Sequence, residues 1–178
     1  MNDQIIIRPA VSSDAKKLSV LLKTVYIYTY GKEGVSDEFA NFITKQFSIE
    51  RLENSIAEDP DQFRVAEFRN NLVGAVEIDY NRGCPIGNYT APELNKLYIL
   101  EWFSGKGIGR MLSEAAETMV RNKGHEKMWL WVLVSNKRAI NFYRKEGYVE
   151  IGNAPFHMEQ NSYNNLVMLK HLKKRPGC

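Results

Sequence analysis

The chain has 178 residues, 44% of them hydrophobic and 25% charged, with a net charge of +3. That composition excludes a disordered, collagen-like or disulfide-built protein, and the length predicts one domain, with a core over about residues 5–170 and a basic tail from 171 to 178. The small positive excess excludes a dedicated nucleic-acid binder while leaving room for a local phosphate site. Two cysteines, Cys84 and Cys178, and three scattered histidines, His125, His157 and His171, lack metal-ligand spacing, so no metal is expected. Without a basic leader or an apolar run near the roughly 20 residues that cross a bilayer, the chain reads as soluble and cytoplasmic, with no membrane partner.

The β-branched run Ile5-Ile6-Ile7-Arg8 predicts a first strand ending at Pro9. Ala15, Leu18, Leu22 and Val25 recur at helical spacing over residues 14–28, after the capping oxygens of Ser12, Ser13 and Asp14. Residues 36–58 read as one or two short helices closed before Pro60. Alternation in Phe63–Phe68 and Leu72–Ile78 predicts a hairpin turning at Asn70-Asn71. A loop over residues 81–92 then leads to a strand over Leu94–Leu100. Ile108, Met111, Leu112, Ala115, Ala116 and Met119 mark an amphipathic helix over 106–122, ended by Gly124. Met128–Val134 reads as a buried strand, Asn136 caps a helix that stops at Gly147, and strands near 148–151 and 166–169 flank a polar loop over 152–164. The order predicts an α+β fold: a mixed, mostly antiparallel sheet of about seven strands flanked by helices.

The most informative stretch is Leu97-Tyr98-Ile99-Leu100-Glu101-Trp102-Phe103-Ser104-Gly105-Lys106-Gly107-Ile108-Gly109-Arg110. A strand runs through alternating glycines into a helix, where backbone N–H groups and a helix N-terminus carrying about half an elementary charge suit a pyrophosphate. It is not a P-loop, since Leu100 stands where a glycine is needed and Gly107 where Ser or Thr is needed. It is not a dinucleotide fingerprint either, because Arg110 occupies the third glycine position.

This stretch resembles motif A of the GNAT superfamily of acetyl-CoA-dependent N-acyltransferases, with Gly107 and Gly109 matching and Ser104 where Gln or Arg is usual. Asn136-Lys137-Arg138-Ala139-Ile140-Asn141-Phe142-Tyr143, continuing to Gly147-Tyr148, resembles the same family's motif B, and Ile7-Arg8-Pro9-Ala10 with Asp14-Ala15 resembles its opening strand and helix. The segments Leu94–Ile99, Trp129–Val132 and Asn153–Met158 are similar to PaiA-type polyamine N-acetyltransferases.

The resemblance implies transfer of acetyl from acetyl-CoA to a primary amine, with a small amine or polyamine as the leading acceptor, by direct attack in a ternary complex. It implies that Ser104, Gly105, Lys106, Gly107, Ile108, Gly109 and Arg110 bind the cofactor's phosphates, with Asn136 and Arg138 assisting. It further implies that Leu97, Tyr98 and Ile99 align the pantetheine arm, that the Ile99 N–H stabilises the carbonyl oxygen, and that Tyr143 protonates the departing thiolate. A primary amine with a pKa of about 10.4 must lose a proton first. Glu93 falls where several family members carry a catalytic glutamate and is the candidate general base, directly or through water. Glu101 is the second candidate; a solvated Glu93 at a strand start is the plainer alternative.

Other residues carry two readings each. Glu77 and Asp79 either attract a cationic acceptor or face water on a half-buried strand. Tyr26, Tyr28 and Tyr30 form either an amine cage or a packing cluster. Trp129 and Trp131 share one face and read as core, with a substrate wall as the secondary reading; the histidines read as structural or solvent-facing, and Cys84 as a loop residue rather than an acyl carrier. A peptide or protein N-acetyltransferase and a non-catalytic acyl-CoA-binding module are the competing functions, and a homodimer is one assembly the sequence leaves open.

Overall fold

Ile6–Pro9 opens the structure as strand β1, the first of seven strands joined to five helices in the computed structural model, which describes residues 4–172. Numbered along the chain, the strands lie in the sheet in the order first, second, third, fourth, fifth, seventh, sixth, and the sheet is mixed, as expected, with antiparallel pairs and a parallel pair between the fourth and fifth. The chain divides into two compact units.

The first unit holds the residues up to Glu77 together with Lys96–Ala115. After β1 comes helix α1 (Ala15–Tyr30), whose Leu18, Leu21 and Leu22 are buried at helical spacing. The following segment divides into two helices, α2 (Asp37–Gln46) and α3 (Ile49–Glu58). Each has a serine cap: Ser36 Oγ accepts from the Phe39 N–H at 3.2 Å and Ser48 Oγ from the Arg51 N–H at 3.3 Å. Phe47, fully buried between them, anchors the corner. Strands β2 (Phe63–Phe68) and β3 (Asn71–Gly83) form the hairpin. Its turn is Arg69-Asn70, one residue earlier than expected, because both take the left-handed conformation (φ 49° and 64°) that a two-residue turn needs. Arg8 ties β1 to this hairpin, donating to Glu67 at 2.6 Å and to both carboxylate oxygens of Asp14 at 2.6 and 3.0 Å. That guanidinium holds Asp14 below the usual carboxylate range despite its burial.

The second unit holds Ile78–Asn95 and the residues from Ala116 on. The predicted loop over 81–92 contracts, because β3 extends to Gly83 and β4 (Thr90–Ile99) begins four residues before the expected Leu94. Helix α4 (Ile108–Asn122) starts two residues after the expected Lys106. Strand β5 (Lys127–Leu133) and helix α5 (Lys137–Lys145) fall close to their sequence limits. The segment read as a polar loop over 152–164 is instead most of a hairpin, β6 (Val149–His157) and β7 (Ser162–His171), in register from Ala154–Asn165 to His157–Ser162. Its turn is clasped by the Met158 N–H donating to the Asn161 carbonyl at 2.9 Å. Lys170 and His171 are expected at the start of the basic tail. Lys170 and His171 belong to β7, Lys170 is ion-paired with Glu117, and Leu172 is buried; residues 173–178 lie outside the described residues.

Candidate functional site

In the first unit, β4 ends at Ile99 and a short 3-10 turn, Glu101–Phe103, precedes the glycines. Gly105 and Gly107 have φ of +75° and +79°, and a Cβ built on either meets no heavy atom within 4 Å. An L side chain would be strained there and would project into the space the backbone leaves open. The first helical hydrogen bond runs from the Met111 N–H to the Gly107 carbonyl at 3.1 Å. The amides of Ile108, Gly109 and Arg110 therefore precede the intrahelical ladder, as the first N–H groups of any helix do, and face the N-terminal side. An anion bearing two phosphates fits this cradle chemically.

Side chains frame the turn. Phe103 packs edge-on to Phe68 with centroids 5.6 Å apart, and the Lys106 ammonium lies 5.0 Å from the Phe103 centroid. Ser104 Oγ donates to Glu101 Oε2 at 3.3 Å, and Arg110 Nε donates to Glu114 at 2.8 Å. Leu97, Tyr98 and Ile99 are half-buried at the end of β4. All the residues expected to bind the cofactor between 97 and 110 thus lie in one unit.

The other expected site residues lie in the second unit. Glu93 is an interior residue of β4, opposite Trp129 on β5 and only 6% exposed. The alternative of a solvated carboxylate at a strand start is therefore corrected: pairing begins three residues earlier, at Thr90. Arg82 Nε stands 3.5 Å from Glu93 Oε2 and supplies a countercharge. Asn136 caps α5, its Oδ1 accepting from the Ala139 N–H at 3.1 Å, and Arg138 is exposed one residue into that helix. Tyr143 is 8% exposed, with Phe142 and Tyr148 packed against its ring at 5.3 and 5.5 Å. The Tyr148 hydroxyl is buried without a hydrogen-bond partner among the described residues, and burial pushes its pKa well above the ordinary tyrosine value.

Glu77 needs the clearest correction. It neither faces water nor stands open to a cationic acceptor, because it is 1% exposed between Arg51 Nη2 at 2.5 Å and Lys96 Nζ at 2.8 Å. Burial drives its pKa up, but the Lys96 and Arg51 charges outweigh that and hold it below the usual carboxylate range. Sequence reasoning missed this triad, since nothing local links a strand glutamate to an arginine 26 positions earlier. Asp79 accepts from the Asn81 N–H at 3.1 Å, and Glu101 is exposed on the turn.

Tyr26 and Tyr30 lie 4.6 Å apart, and Tyr26 also meets Phe39, Phe42, Phe47 and Tyr98. Tyr28 points away and is 65% exposed, so a three-tyrosine cage does not form. Trp129 is fully buried, donating to the Ala91 carbonyl at 3.0 Å, and Trp131 is half-buried beside it. His125 stacks on Tyr80, His157 and His171 are exposed, and the buried Cys84 thiol donates to the Ile86 carbonyl at 3.3 Å. No group of three metal-ligating side chains occurs among the described residues, and no helix there is long and apolar enough to cross a membrane.

Residues 31–148 match the acetyltransferase (GNAT) family, and the chain belongs to that family; it is an acetyltransferase enzyme. Among curated relatives, an uncharacterized N-acetyltransferase of Lactobacillus delbrueckii subsp. lactis is 23% identical over 164 residues, covering 89% of this chain and 92% of that one. Among solved structures, the PaiA N-acetyltransferase of Thermoplasma acidophilum, in complex with coenzyme A, has a TM-score of 0.74 at 23% identity and covers 94% of this chain and 99% of its own. A ribosomal-protein-alanine N-acetyltransferase of Brucella melitensis has a TM-score of 0.72 at 21% identity, with the same coverage of each chain.

Proposed function

We propose that this enzyme takes acetyl from acetyl-CoA and transfers it to a small primary amine, with a polyamine as the leading acceptor. The observation that carries the reading is the open backbone at Gly105 and Gly107, followed directly by the start of α4. A diphosphate placed there meets amide hydrogens rather than side chains. Residues Ser104 to Arg110 hold the phosphates of coenzyme A, and Leu97, Tyr98 and Ile99 present half-buried strand backbone to its arm. When bound, acetyl-CoA supplies an activated acyl group as a thioester.

The chain's own residues handle the protons and the developing charge. Glu93 accepts the proton that the ammonium acceptor must shed; its burial beside Arg82 keeps a single carboxylate oriented in place of a freely solvated one. Glu93 lies six positions before Ile99 on β4 and acts through water. The Ile99 N–H donates to the acyl oxygen as charge gathers on it. Tyr143 donates a proton to the departing sulfur, and its two flanking rings fix the phenol's direction. Asn136 hydrogen-bonds the cofactor while capping α5, and Arg138 adds a positive charge nearby.

The test is an amine panel read as thiol release, with spermidine, spermine, simple monoamines and N-terminal peptides in parallel. Spermidine turning over at the rate of buffer alone would end the polyamine reading. Peptide turnover without amine turnover would favour the second function, N-terminal acetylation of proteins. A specific observation keeps that function in the panel: the fold is about as similar to the ribosomal-protein-alanine enzyme as to the PaiA enzyme. Coenzyme A binding without thiol release from any acceptor would identify a non-catalytic module.

A further inference from the structure

Trp102 is 89% exposed, the most exposed large hydrophobic residue described, whereas tryptophan is as a rule among the more buried side chains. Its position is fixed on one side and bare on the other. It is the middle residue of the Glu101–Phe103 turn, which is held by the Phe103 N–H donating to the Leu100 carbonyl at 2.8 Å and the Ser104 N–H to the Glu101 carbonyl at 2.9 Å. Phe103, the next residue, is pinned between Phe68 and Lys106. The Trp102 indole itself has no ring contact and no hydrogen bond among the described residues. A rigid turn thus holds a large flat ring in water, at the cost of leaving its apolar surface unburied.

Two residues separate Trp102 from Gly105, so their Cα atoms are at most about 11 Å apart. A diphosphate in the cradle carries its nucleoside within one sugar of itself. The turn's other polar side chain is already engaged, since Ser104 Oγ is turned to Glu101. We propose that Trp102 is a binding platform for the adenine ring of coenzyme A, stacking its indole on the base while the Gly105–Gly109 turn holds the diphosphate. The inference rests on the coenzyme A reading above and adds a contact outside the glycine motif. Stacking suits the geometry because every purine offers a π-face and an exposed indole accepts one without rearranging its surroundings.

The test uses the intact chain and three ligands: coenzyme A, 3′,5′-ADP, which keeps the base, and 4′-phosphopantetheine, which lacks it. Tryptophan emission is followed in the wild type, Trp102→Phe and Trp102→Ala, with affinities measured by calorimetry. The expected result is quenching of a water-exposed emission by coenzyme A and 3′,5′-ADP but not by phosphopantetheine, and loss of that quench in Trp102→Ala. Coenzyme A affinity should fall roughly 5- to 150-fold in Trp102→Ala and less in Trp102→Phe, while phosphopantetheine affinity stays unchanged. Coenzyme A bound equally well by wild type and Trp102→Ala overturns this inference alone. An equal loss for phosphopantetheine also overturns it, by assigning the ring to the other arm. Wild-type chain that binds none of the three overturns the coenzyme A reading and this inference with it.

Discussion

Lys96 Nζ lies 2.8 Å from Glu77 Oε2, and both side chains are removed from water, at 9% and 1% exposure. With Arg51 on the other carboxylate oxygen, two cations surround one anion in the first unit. Replacing Lys96 by methionine removes one of the two partners of a buried charge and is expected to destabilise the fold by less than the roughly 3–5 kcal/mol of a buried charge left wholly uncompensated, because Arg51 remains. The pH dependence has a definite sign. Because Glu77 is held below the usual carboxylate range, its contribution is present above that range and lost as pH falls through its native value. Denaturant titrations should therefore show wild type and Glu77→Gln furthest apart near neutrality and converging in acid.

The Tyr143 ring is packed on two sides, so Tyr143→Phe should keep its ring contacts and its fold. If the hydroxyl is the acid, turnover falls about 10²- to 10⁴-fold in the same protein. Unchanged turnover across the pH range would remove Tyr143 from the reaction.

Tyr148 should behave in the opposite way. Its hydroxyl is buried and unpartnered, so Tyr148→Phe removes an unsatisfied group and is expected to be neutral or slightly stabilising at pH 7. Burial raises the native phenol's pKa, so above a pH of about 10 the unfolded phenol loses its proton more readily than the native one. Wild type should then lose stability relative to Tyr148→Phe as pH rises. Parallel stability curves through that range would contradict the burial of this hydroxyl.

Asn136 has a capping role that the structure displays and a cofactor role that is proposed, and the two separate by substitution. Asn136→Ala should cost about 1 kcal/mol through the lost bond to the Ala139 N–H, and Asn136→Ser should restore most of it. Weak coenzyme A binding in the stable serine variant would assign the amide to the cofactor. Full affinity would leave only the cap.

Gly107→Ala places a side chain at φ +79° and is expected to cost about 1–2 kcal/mol in backbone strain. Asparagine tolerates that conformation better, so Gly107→Asn should recover stability. It still fills the open side of the turn, and calorimetry should find coenzyme A binding weak in both variants.

What the sequence discloses follows from how local the causes are. The glycine turn and the Asn136 cap are written in residues three to five positions apart, and both stand where the pattern predicts. The Glu77 triad joins three separate elements, and alternation along β3 carries no hint that two cations await that carboxylate. The misread hairpin has a similar origin. β6 is the last strand of the sheet, and an edge tolerates Pro155, Gly152 and a row of polar residues that would argue against a central strand. The roles of Glu93, Ile99 and Tyr143 come from the family resemblance, because proton transfer leaves no periodicity in a chain.

That edge has a consequence for self-association. The sheet terminates at β1, four residues long and ending in Pro9, and at β6, interrupted by Pro155 and by a register shift between Glu150 and Gly152. Neither border offers a long unbroken row of free amides for a neighbouring chain to zip onto. The sheet is therefore guarded against runaway growth by strand addition.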